Sequence, residues 1–527
     1  MFHIGFSTFQ KRNTQPQYQP RRLKSALPYA HNGNVEMNSS YEKVLALAEA
    51  VQASGGRAML VGGCVRDELM GVGPKDWDLE VYGIEPGRLR EILEGFACSL
   101  REDTSQGDDH GGSADEVEKN VRTPTVNVVG EAFAVYRLGQ DLDVSIPRRE
   151  RKTGRGHKGF VVEGDPDMSF EEACSRRDFT INAILKDPLT GEIIDPFDGR
   201  GDIERGILRM VSKDTFAEDS LRVLRAAQFA ARFEFEIDPE TARFCTEIDV
   251  TDLPRERIWG ELEKLLLKAG QPSIGLELLY KWGVVGQLFP ELEALVGVPQ
   301  EPDWHPEGDV DVHTLMVVDE ARKLIDDLPY ERQVAVMLGA LCHDLGKPPT
   351  TEFVDGRIRS RGHDEAGIEP TLSLLDRLGI FTLNGFDVRN QVVQLVRYHL
   401  KPGEFYKAEE KNPVGDGAFR RLARKVEPDL LYRVAKADSL GRYPDGDRSK
   451  MIFGSEAQEW FIERVRALDI EKKAPDPILM GRHLIELGLE PSPKFKEILD
   501  AVYEMQLDGH VSGLDEAIAE AKKLFDN

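Results

Sequence analysis

Two carboxylates one residue apart, Asp76 and Asp78, follow a glycine pair and an arginine in the segment 61–82, which reads VGGCVRDELMGVGPKDWDLEVY. The residues around them predict two strands, at 58–61 and at 79–82, and side chains two apart on a strand point to the same face. Two like charges on one face repel each other unless a cation lies between them. Carboxylates beside substrate phosphates are a typical Mg²⁺ environment. The segment therefore predicts a magnesium site where a strand begins.

A third oxygen ligand for such a site has two candidates, Asp141 and Asp143, in the later run QDLDVSI. If this run is a strand, the two aspartates share a face, so periodicity does not choose between them. Three carboxylates that hold two Mg²⁺ ions can activate an attacking hydroxyl and stabilise a leaving pyrophosphate. Gly62 and Gly63 would let backbone N–H groups approach a triphosphate closely, and Arg66 adds positive charge.

A second group suited to metal chemistry lies further along the chain, where five of the eleven histidines fall between 305 and 399. An apolar run at 334–342 leads into a His-Asp pair, and a carboxylate at the end of a buried helix must be paired or metal-bound. Two imidazoles and two carboxylates favour Ni²⁺, Mn²⁺, Co²⁺ or Mg²⁺ over a structural zinc site. The four candidate ligands are His313, His343, Asp344 and Asp438. The candidates for a second metal, or for the phosphate of a substrate, are His363 and His399.

The elements that must position these two groups predict an α+β protein. A first helix at 41–52 is followed by short strand patterns to about 144, whereas helical periodicity dominates from 202 onward. We predict a small mixed α/β head with a β-sheet, followed by a long all-α body. An acidic, glycine-rich stretch at 101–122 predicts a mobile surface excursion. The pattern divides the chain into a disordered arm at 1–36, a head at 37–200, a helical neck at 201–298, a histidine-bearing domain at 299–445 and a helical C-terminal region at 446–527.

Composition restricts the classes of partner. Hydrophobic residues make up 40% and charged residues 31% of the chain, as in an ordinary globular protein. No apolar run approaches the roughly 18 residues that a membrane span needs, so we expect no membrane partner. Five cysteines without a C-x-x-C pair predict reduced thiols and a cytoplasmic location. A net charge of −25 argues against a protein that coats nucleic acid in general. Nothing in the sequence indicates an oligomeric state.

The stretch 148–158, RRERKTGRGHK, is a local exception to this acidic charge, because it carries six cations and one anion. A basic segment on an acidic body suits one specific polyanion. Gly154, Gly156 and Gly159 would supply hinges. We predict a flexible loop whose cations include Arg148, Arg149, Arg151, Lys152 and Arg155.

The glycine pair, the arginine and the two aspartates form the ordered set GGxVRD, then DxD nine residues on. This set resembles the nucleotidyltransferase head of the DNA polymerase β superfamily, in the version used by bacterial CCA-adding enzymes and poly(A) polymerases. Three further segments carry the resemblance, which runs nearly continuously from 60 to 235. They are RRDFTINAI at 176–184, DPFDG at 195–199 and EDSLRVLRA at 218–226. The resemblance, and not the spacing, favours Asp143 over Asp141 as the third catalytic Mg²⁺ ligand beside Asp76 and Asp78.

The resemblance also implies where the nucleotide binds. In the family, the second motif contacts ribose and triphosphate, and a flexible loop between the first two motifs is needed for the switch from C to A; the stretch 148–159 lies in that interval. The residues that it assigns to the nucleotide are Gly62, Gly63, Arg66, Arg176, Arg177, Asp178, Asn182, Asp219, Arg222 and Arg225.

Asp219 and Arg222 suit the choice of base on chemical grounds, because residues three apart on a helix share a face. The ring acceptor of C or A can take an Arg N–H, and the exocyclic amine of either base can donate to a carboxylate. U and G reverse both groups and would leave buried polar atoms unpaired, which discriminates strongly. One such pair could therefore accept CTP and ATP without a nucleic-acid template. The alternative is an ordinary ion pair within a helix.

The histidine set resembles the HD-domain metal-dependent phosphohydrolases. In CCA-adding enzymes this domain is associated with phosphatase and 2′,3′-cyclic phosphodiesterase activity. Together the resemblances imply a CCA-adding tRNA nucleotidyltransferase that builds and repairs the tRNA 3′ end from CTP and ATP, with an HD hydrolase. They imply nucleotide selection and RNA binding for the neck, and tRNA binding for the C-terminal region. A poly(A) polymerase or an enzyme that adds only the terminal A shares the same head, and a nucleotide phosphohydrolase with an inactive head is a further alternative.

Overall fold

A computed structural model describes residues 35–74, 76–105, 126–129, 135–139, 141–152, 160–451 and 453–526. They form two compact units. The first, here called the head unit, takes in the described residues up to Cys174 together with Ile181–Arg205. The second, the helical unit, combines Ser175–Thr180 with the described residues from Gly206 onward. Most of the predicted arm, and residues 106–122 of the predicted excursion, lie outside the described residues.

The described part of the head unit is built around a seven-stranded sheet with the order β3-β4-β5-β2-β1-β8-β9. The strands of the head unit are β1 (Arg57–Val61), β2 (Trp77–Tyr82), β3 (Val126–Val129), β4 (Val135–Leu138), β5 (Leu142–Ser145), β6 (Arg148–Lys152), β7 (Phe160–Gly164), β8 (Leu185–Lys186) and β9 (Ile193–Ile194). Of these, β6 and β7 pair with each other in a separate two-stranded ribbon. The helices of the head unit are α1 (Val35–Ala53), α2 (Gly63–Leu69), α3 (Pro86–Ser105), α4 (Phe170–Ser175) and α5 (Gly199–Arg205). Strands β2 and β5 pair in parallel, and the other neighbours in this sheet pair antiparallel.

The helical unit consists mainly of helices, as predicted. They are α6 (Lys213–Phe216), α7 (Leu221–Phe233), α8 (Pro239–Cys245), α9 (Arg255–Lys268), α10 (Pro272–Lys281), α11 (Val284–Leu288), α12 (Pro290–Glu293), α13 (Val310–Arg322), α14 (Tyr330–Cys342), α15 (Lys347–Thr350), α16 (His363–Ala366), α17 (Ile368–Leu378), α18 (Val388–Tyr398), α19 (Lys401–Glu409), α20 (Asp416–Ala423), α21 (Pro428–Leu440), α22 (Glu456–Ala467), α23 (Gly481–Glu486), α24 (Pro493–Leu507) and α25 (Leu514–Asp526).

The body is not purely helical, because it also contains three short two-stranded ribbons. Their strands are β10 (Ile207–Leu208), β11 (Glu236–Ile237), β12 (Thr351–Val354), β13 (Arg357–Ser360), β14 (Thr382–Leu383) and β15 (Phe386–Asp387). Four of these strands are two residues long, too short to show the alternation by which a strand is recognised in a sequence. The predicted α+β class is confirmed with this small correction.

Burial explains why the elements near the chemistry are well defined. In β2, Trp77, Leu79 and Val81 are buried while Asp78 and Glu80 between them are partly exposed, the pattern of a strand with one covered face. Helix α14 is buried without interruption from Val334 to Cys342, so this part is surrounded by other helices. Helices α13, α18 and α21 pack against it.

The basic stretch departs from the prediction of a loop. Arg148, Arg149, Arg151 and Lys152 lie in β6, which pairs antiparallel with β7 over five residue pairs. Arg149 donates to Asp165 at 2.6 Å and pairs with Glu172, so this cation is already neutralised. Arg155 and the rest of 153–159 lie outside the described residues. Among the helices described, none is long and apolar enough to cross a lipid bilayer.

Candidate functional site

The sheet brings two of the three predicted catalytic aspartates side by side. Asp78 in β2 and Asp143 in β5 are register partners in the parallel pair, and Asp76 lies immediately before β2. Asp141 lies just outside β5, and its carboxylate accepts from the Ser40 hydroxyl. The register therefore places Asp143 directly beside Asp78, which the alternation along one strand could not decide.

Arg137 in β4 is the register partner of Asp143 on its other side. Its Nε and Nη2 donate to the two carboxylate oxygens of Asp143, each at 2.7 Å, the bidentate geometry that Arg prefers. These bonds raise the pKa of Arg137, and Asp76 and Asp78 add smaller electrostatic contributions in the same direction. Arg137 thus supplies positive charge among the three carboxylates, a role that the sequence did not reveal.

The glycine pair lies at the turn from β1 into α2. Gly62 has φ of 70° and ψ of −127°, a backbone conformation that is open essentially to glycine alone. Arg66 in α2 is buried, and its Nη1 donates to Asn182 Oδ1 at 2.7 Å. Its Nε and Nη2 donate to Asp67. The first and second predicted nucleotide motifs are therefore joined through Arg66 and Asn182.

Residues 176–180 of the second motif belong to the helical unit, where they are held against α7. Arg225 donates from Nε to Asp178 Oδ2 at 2.8 Å, and the backbone N–H of Phe179 donates to Asp178 Oδ1. Arg222 donates to the carbonyl oxygens of Thr215 at 2.7 Å and Arg176 at 2.6 Å. A weaker contact, at 3.5 Å, joins Arg222 to the carbonyl oxygen of Arg177. Two arginines predicted to bind nucleotide thus also anchor the motif.

Asp219 does not share a helical face with Arg222, because it lies two residues before the start of α7. Its Oδ2 instead accepts from Arg257 Nη2 at 2.7 Å. Burial would raise the pKa of Asp219, but the bond from Arg257 outweighs it and holds that pKa below its ordinary value. Asp219 therefore pairs with Arg257 of α9 and does not form a simple ion pair within one helix.

The predicted ligands of the second group converge in the helical unit. His343, His363 and His399 each place Nδ1 at 2.7–2.8 Å from the carbonyl oxygen three residues earlier. A carbonyl oxygen only accepts, so each Nδ1 carries the proton and each Nε2 has a free lone pair. Such a bond from the second nitrogen is typical of metal-binding histidines. Burial lowers the pKa of His399 to about 3, which leaves it neutral and able to bind a cation.

The Nε2 atoms face one another in pairs, with Asp344 between them. His343 Nε2 lies 3.3 Å from His313 Nε2, and His363 Nε2 lies 3.2 Å from His399 Nε2. Asp344 places Oδ2 at 3.1 Å from His343 and Oδ1 at 3.4 Å from His363. Two nitrogens bound at about 2.1 Å to one ion stand about 3.0–3.4 Å apart, so both pairs have the spacing of shared ligands.

Cations balance the buried carboxylates of this group. Lys347 Nζ lies 2.7 Å from Asp344 Oδ2, and Arg442 Nη2 donates to Asp438 Oδ1 at 2.5 Å. Burial alone would raise the pKa of both aspartates, but His343 and Lys347 at Asp344, and Arg442 at Asp438, hold these pKa values well below the ordinary range. Asp438 Oδ1 also lies 3.1 Å from His313 Nε2.

Three sets of three side chains in the described residues have ligand atoms within 4.8 Å of one another, and all lie in this part of the helical unit. They are His313, His343 and Asp438; Asp344, His363 and His399; and His305, Glu307 and His313. The mixed nitrogen and oxygen donors fit a divalent transition metal. Asp76, Asp78 and Asp143 do not form such a set among the described side chains, and Arg137 donates to both carboxylate oxygens of Asp143.

Glu307 was not predicted as a functional residue, although it lies in the motif WHPE at 304–307. Its Oε1 lies 2.7 Å from His313 Nδ1 and 2.9 Å from His305 Nδ1, and its side chain is fully buried. Burial would raise the pKa of Glu307, but the two imidazoles lower it to about 2, so the group is a carboxylate at neutral pH. The two histidines that Glu307 contacts lie 30 residues or more before the His-Asp pair. Spacing along the sequence therefore could not show that this carboxylate belongs to the same group of residues.

Comparison with known proteins identifies the domains in which the two groups of residues lie. Three family models match the chain: the poly A polymerase head domain at 58–209, the probable RNA and SrmB-binding site of polymerase A at 234–295, and the HD domain at 310–442. The chain is 36% identical over 420 residues to a multifunctional CCA protein of Nitrosococcus oceani, covering 76% of this chain and 90% of that protein. A protein of the same name from Actinobacillus pleuropneumoniae is 36% identical over 79% of this chain and 93% of its own length.

Solved structures agree on the fold. A CCA-adding enzyme of Bacillus stearothermophilus in complex with CTP aligns with a TM-score of 0.57 at 21% identity, over 92% of this chain and 97% of that one. A CCA-adding enzyme of Thermotoga maritima complexed with tRNA aligns with a TM-score of 0.53 at 18% identity, over 94% and 96%. At such identities the likeness shows the fold.

Proposed function

Because the chain belongs to the family of multifunctional CCA proteins, we propose that it adds and repairs the 3′-terminal CCA of tRNA, using CTP and ATP without a nucleic-acid template. The observation that carries this proposal is the identity to curated relatives over nearly their whole length. The same similarity includes the HD domain, which adds a metal-dependent phosphohydrolase activity. We place the protein in the cytoplasm, where its tRNA substrate and its five free thiols belong.

In the head unit, we assign Asp76, Asp78 and Asp143 to the catalytic Mg²⁺ ions. Bound there, Mg²⁺ would favour ionisation of the tRNA 3′-hydroxyl and neutralise charge on the pyrophosphate. The parallel register of β2 and β5 supports this assignment, because it sets two carboxylates on neighbouring strands. Arg137 would release Asp143 when cations bind, since one guanidinium and a divalent ion compete for the same oxygens.

Nucleotide binding is assigned to residues of both motifs. Gly62 and Gly63 leave the backbone at the start of α2 open to a triphosphate, and Arg66 adds charge there. Asp219 and Arg222 are assigned to base selection. Arg222 uses three of its five N–H donors on carbonyl oxygens of described residues, so its Nε–H and one Nη2–H are left for a ring nitrogen of C or A. Asp219 would accept from the exocyclic amine through Oδ1, which also accepts from the backbone N–H of Leu221 at 3.2 Å.

In the helical unit, the groups around Asp344 are assigned to a hydrolase that holds Ni²⁺, Mn²⁺, Co²⁺ or Mg²⁺. A bound metal would supply an activated water for attack on a phosphate ester. Two sets of ligand groups support this assignment: His313, His343 and Asp438, and Asp344, His363 and His399. Lys347 and Arg442 balance the charge of Asp344 and Asp438. An activity of this kind would open a 2′,3′-cyclic phosphate at a damaged 3′ end, which cannot accept a nucleotide until its phosphate is removed.

The decisive experiment supplies tRNA that lacks its 3′ tail with Mg²⁺ and with CTP and ATP, alone and together. We expect C residues from CTP alone and the complete CCA only when both are present. Incorporation of ATP in long runs would identify a poly(A) polymerase, and addition of one A only to tRNA ending in CC would identify an A-adding enzyme. Either result would overturn the proposal.

The same assay tests the aspartates. Asp78→Ala and Asp143→Ala should abolish incorporation, whereas Asp141→Ala is the matched control, because Asp141 is one residue outside β5 and bonds to Ser40. If the aspartate variants kept full incorporation, the assignment of these carboxylates to the catalytic Mg²⁺ ions would be wrong. If the natural protein incorporated no nucleotide and the variants kept its phosphohydrolase activity, the head would be inactive and the activity would belong to the hydrolase alone.

A further inference from the structure

A cavity of about 270 Å³ opens beside the metal-ligand groups of the helical unit. The buried side chains of Asp344, His363 and His399 line it, and so do the exposed side chains of Trp304 and Lys407. This volume is near the lower end for ligand pockets, about 300 Å³, so the cavity suits a small ligand such as one nucleotide unit and not a folded RNA. The buried wall carries the ligand groups, and the exposed side chains stand where a substrate would enter.

Trp304 is the largest aromatic side chain at this opening, and 50% of its surface is exposed. The ring of Phe453 lies nearly parallel to its indole, with centroids 6.0 Å apart and an angle of 24°. Nearly parallel aromatic rings at this distance attract each other. The loop is also fixed on both sides of the indole: Trp304 N–H donates to the carbonyl of Glu301, and the next residue, His305, contacts Glu307 at 2.9 Å. The exposed indole is therefore held in place.

Charge at the cavity favours an anion near the same ring. Lys347 and Arg442 are already paired with Asp344 and Asp438, whereas no carboxylate among the described side chains pairs with Lys407. Lys407 Nζ lies 5.9 Å from the centroid of the Trp304 indole. The cavity thus offers a flat apolar surface for a base and, beside it, a cation for the phosphate oxygens. The metal-ligand groups at its buried end lie where the phosphorus atom would be attacked. A nucleotide presents all of these groups.

We propose that Trp304 is a stacking platform for the nucleobase of the hydrolase substrate, with Lys407 beside it as a contact for the phosphate. The proposal rests on the proposed hydrolase function of this site and names its substrate class: a nucleotide, or an RNA 3′ end that presents its terminal base. Every base has a π face, so stacking predicts little preference among the four bases. In the reaction, water forms a new P–O bond, one ring P–O bond of the cyclic phosphate breaks, and a proton passes to the released ribose oxygen.

The test compares two substrates of the full chain supplied with Ni²⁺ or Mn²⁺: 2′,3′-cyclic AMP and a base-free cyclic phosphate, glycerol 1,2-cyclic phosphate. Trp304→Ala should raise KM for cyclic AMP about tenfold or more and leave kcat little changed, because base stacking contributes at that scale. KM for the base-free substrate should stay the same. Trp304→Phe should restore most of the loss. Phe381→Ala is the matched control, because Phe381 is 49% exposed and lies outside the cavity.

Equal increases of KM for both substrates would overturn the proposal, since a structural role of Trp304 would not distinguish them. A binding measurement separates this failure from a failure of the hydrolase. Titration with adenosine 2′-monophosphate should quench tryptophan fluorescence in the natural protein and not in Trp304→Phe. A quench without hydrolysis would refute the hydrolase and support the platform, whereas hydrolysis without a quench that depends on Trp304 would refute the platform.

Discussion

Replacing Glu307 by alanine should weaken metal binding in the helical unit about a hundredfold. Its Oε1 lies 2.7 Å from His313 Nδ1, and a carboxylate with a pKa of about 2 only accepts hydrogen bonds at neutral pH. A metal bound at His313 Nε2 needs the lone pair of that nitrogen, so the ring proton must then lie on Nδ1, toward Glu307. Burial would lower the pKa of His313, but Asp438, 3.1 Å from Nε2, and Glu307 raise it, so the two carboxylates hold the ring from both sides. Without the carboxylate, the ring can turn and populate the other tautomer. Loss of such partners typically costs 10–100-fold in metal affinity.

The amide Glu307→Gln separates charge from hydrogen bonding. One oxygen, Oε1, contacts both His305 and His313, while Oε2 makes no hydrogen bond to the described residues. An amide can therefore keep the shared acceptor and lose only the negative charge. We expect a loss of about tenfold, near the lower end of the range for an outer partner of a metal ligand.

The measurement is a calorimetric titration of the metal-stripped full chain with Ni²⁺, repeated with Mn²⁺. The matched control is Glu427→Gln, which also removes a charge from a buried glutamate, but one bonded to Arg332 at 2.9 Å. That variant should bind metal as the natural protein does. The reasoning is refuted if Glu307→Ala binds Ni²⁺ with unchanged affinity, because His313 would then not depend on Glu307 for its orientation.

Two further predictions concern other parts of the helical unit. Burial raises the pKa of Asp319 to about 6, although Ser273 donates to it from backbone N and Oγ. The folded chain holds this proton more tightly than the unfolded chain, so its contribution to stability falls as pH rises from about 4 to about 6, by roughly 3 kcal/mol. Asp319→Asn should lose this dependence. Arg222→Lys should weaken the discrimination against UTP and GTP. It should also remove the hydrogen bond to the carbonyl of Arg176, because a lysine cannot bridge several acceptors.

Each of these has a direct measurement. For Asp319→Asn, urea unfolding at several pH values should show the difference in unfolding free energy between variant and natural protein growing in favour of the variant from pH 4 to 6; a constant difference would contradict the prediction. For Arg222→Lys, single-nucleotide incorporation into tailless tRNA is compared with Arg232→Lys, an exposed arginine on the same helix. Unchanged selection in both variants would exclude Arg222 from the choice of base.

The sequence predicted most of the architecture because its signals are local. The strands around Asp78 and the buried run of α14 follow from alternation and from a continuous apolar stretch, and both are observed. The two-residue strands of the ribbons were not predicted, because a pattern of alternation needs more residues than they have. The basic stretch that begins at Arg148 was expected to be a loop because of its charge and glycines. It forms β6 because β7 supplies a partner strand that composition does not reveal.

By itself, the sequence determined the chemistry that is possible: which residue types are present, in which order, and hence the family to which the chain belongs. Only the tertiary structure decided which of them meet. Pairing of β2 with β5 sets Asp143 beside Asp78, and pairing of β4 with β5 brings Arg137 to Asp143. Helix packing places Glu307 against His313, and Trp304 at the mouth of a cavity. These contacts join residues far apart in the chain, and backbone pairing and burial fix such distances, whereas spacing in a sequence fixes only the neighbours on one element.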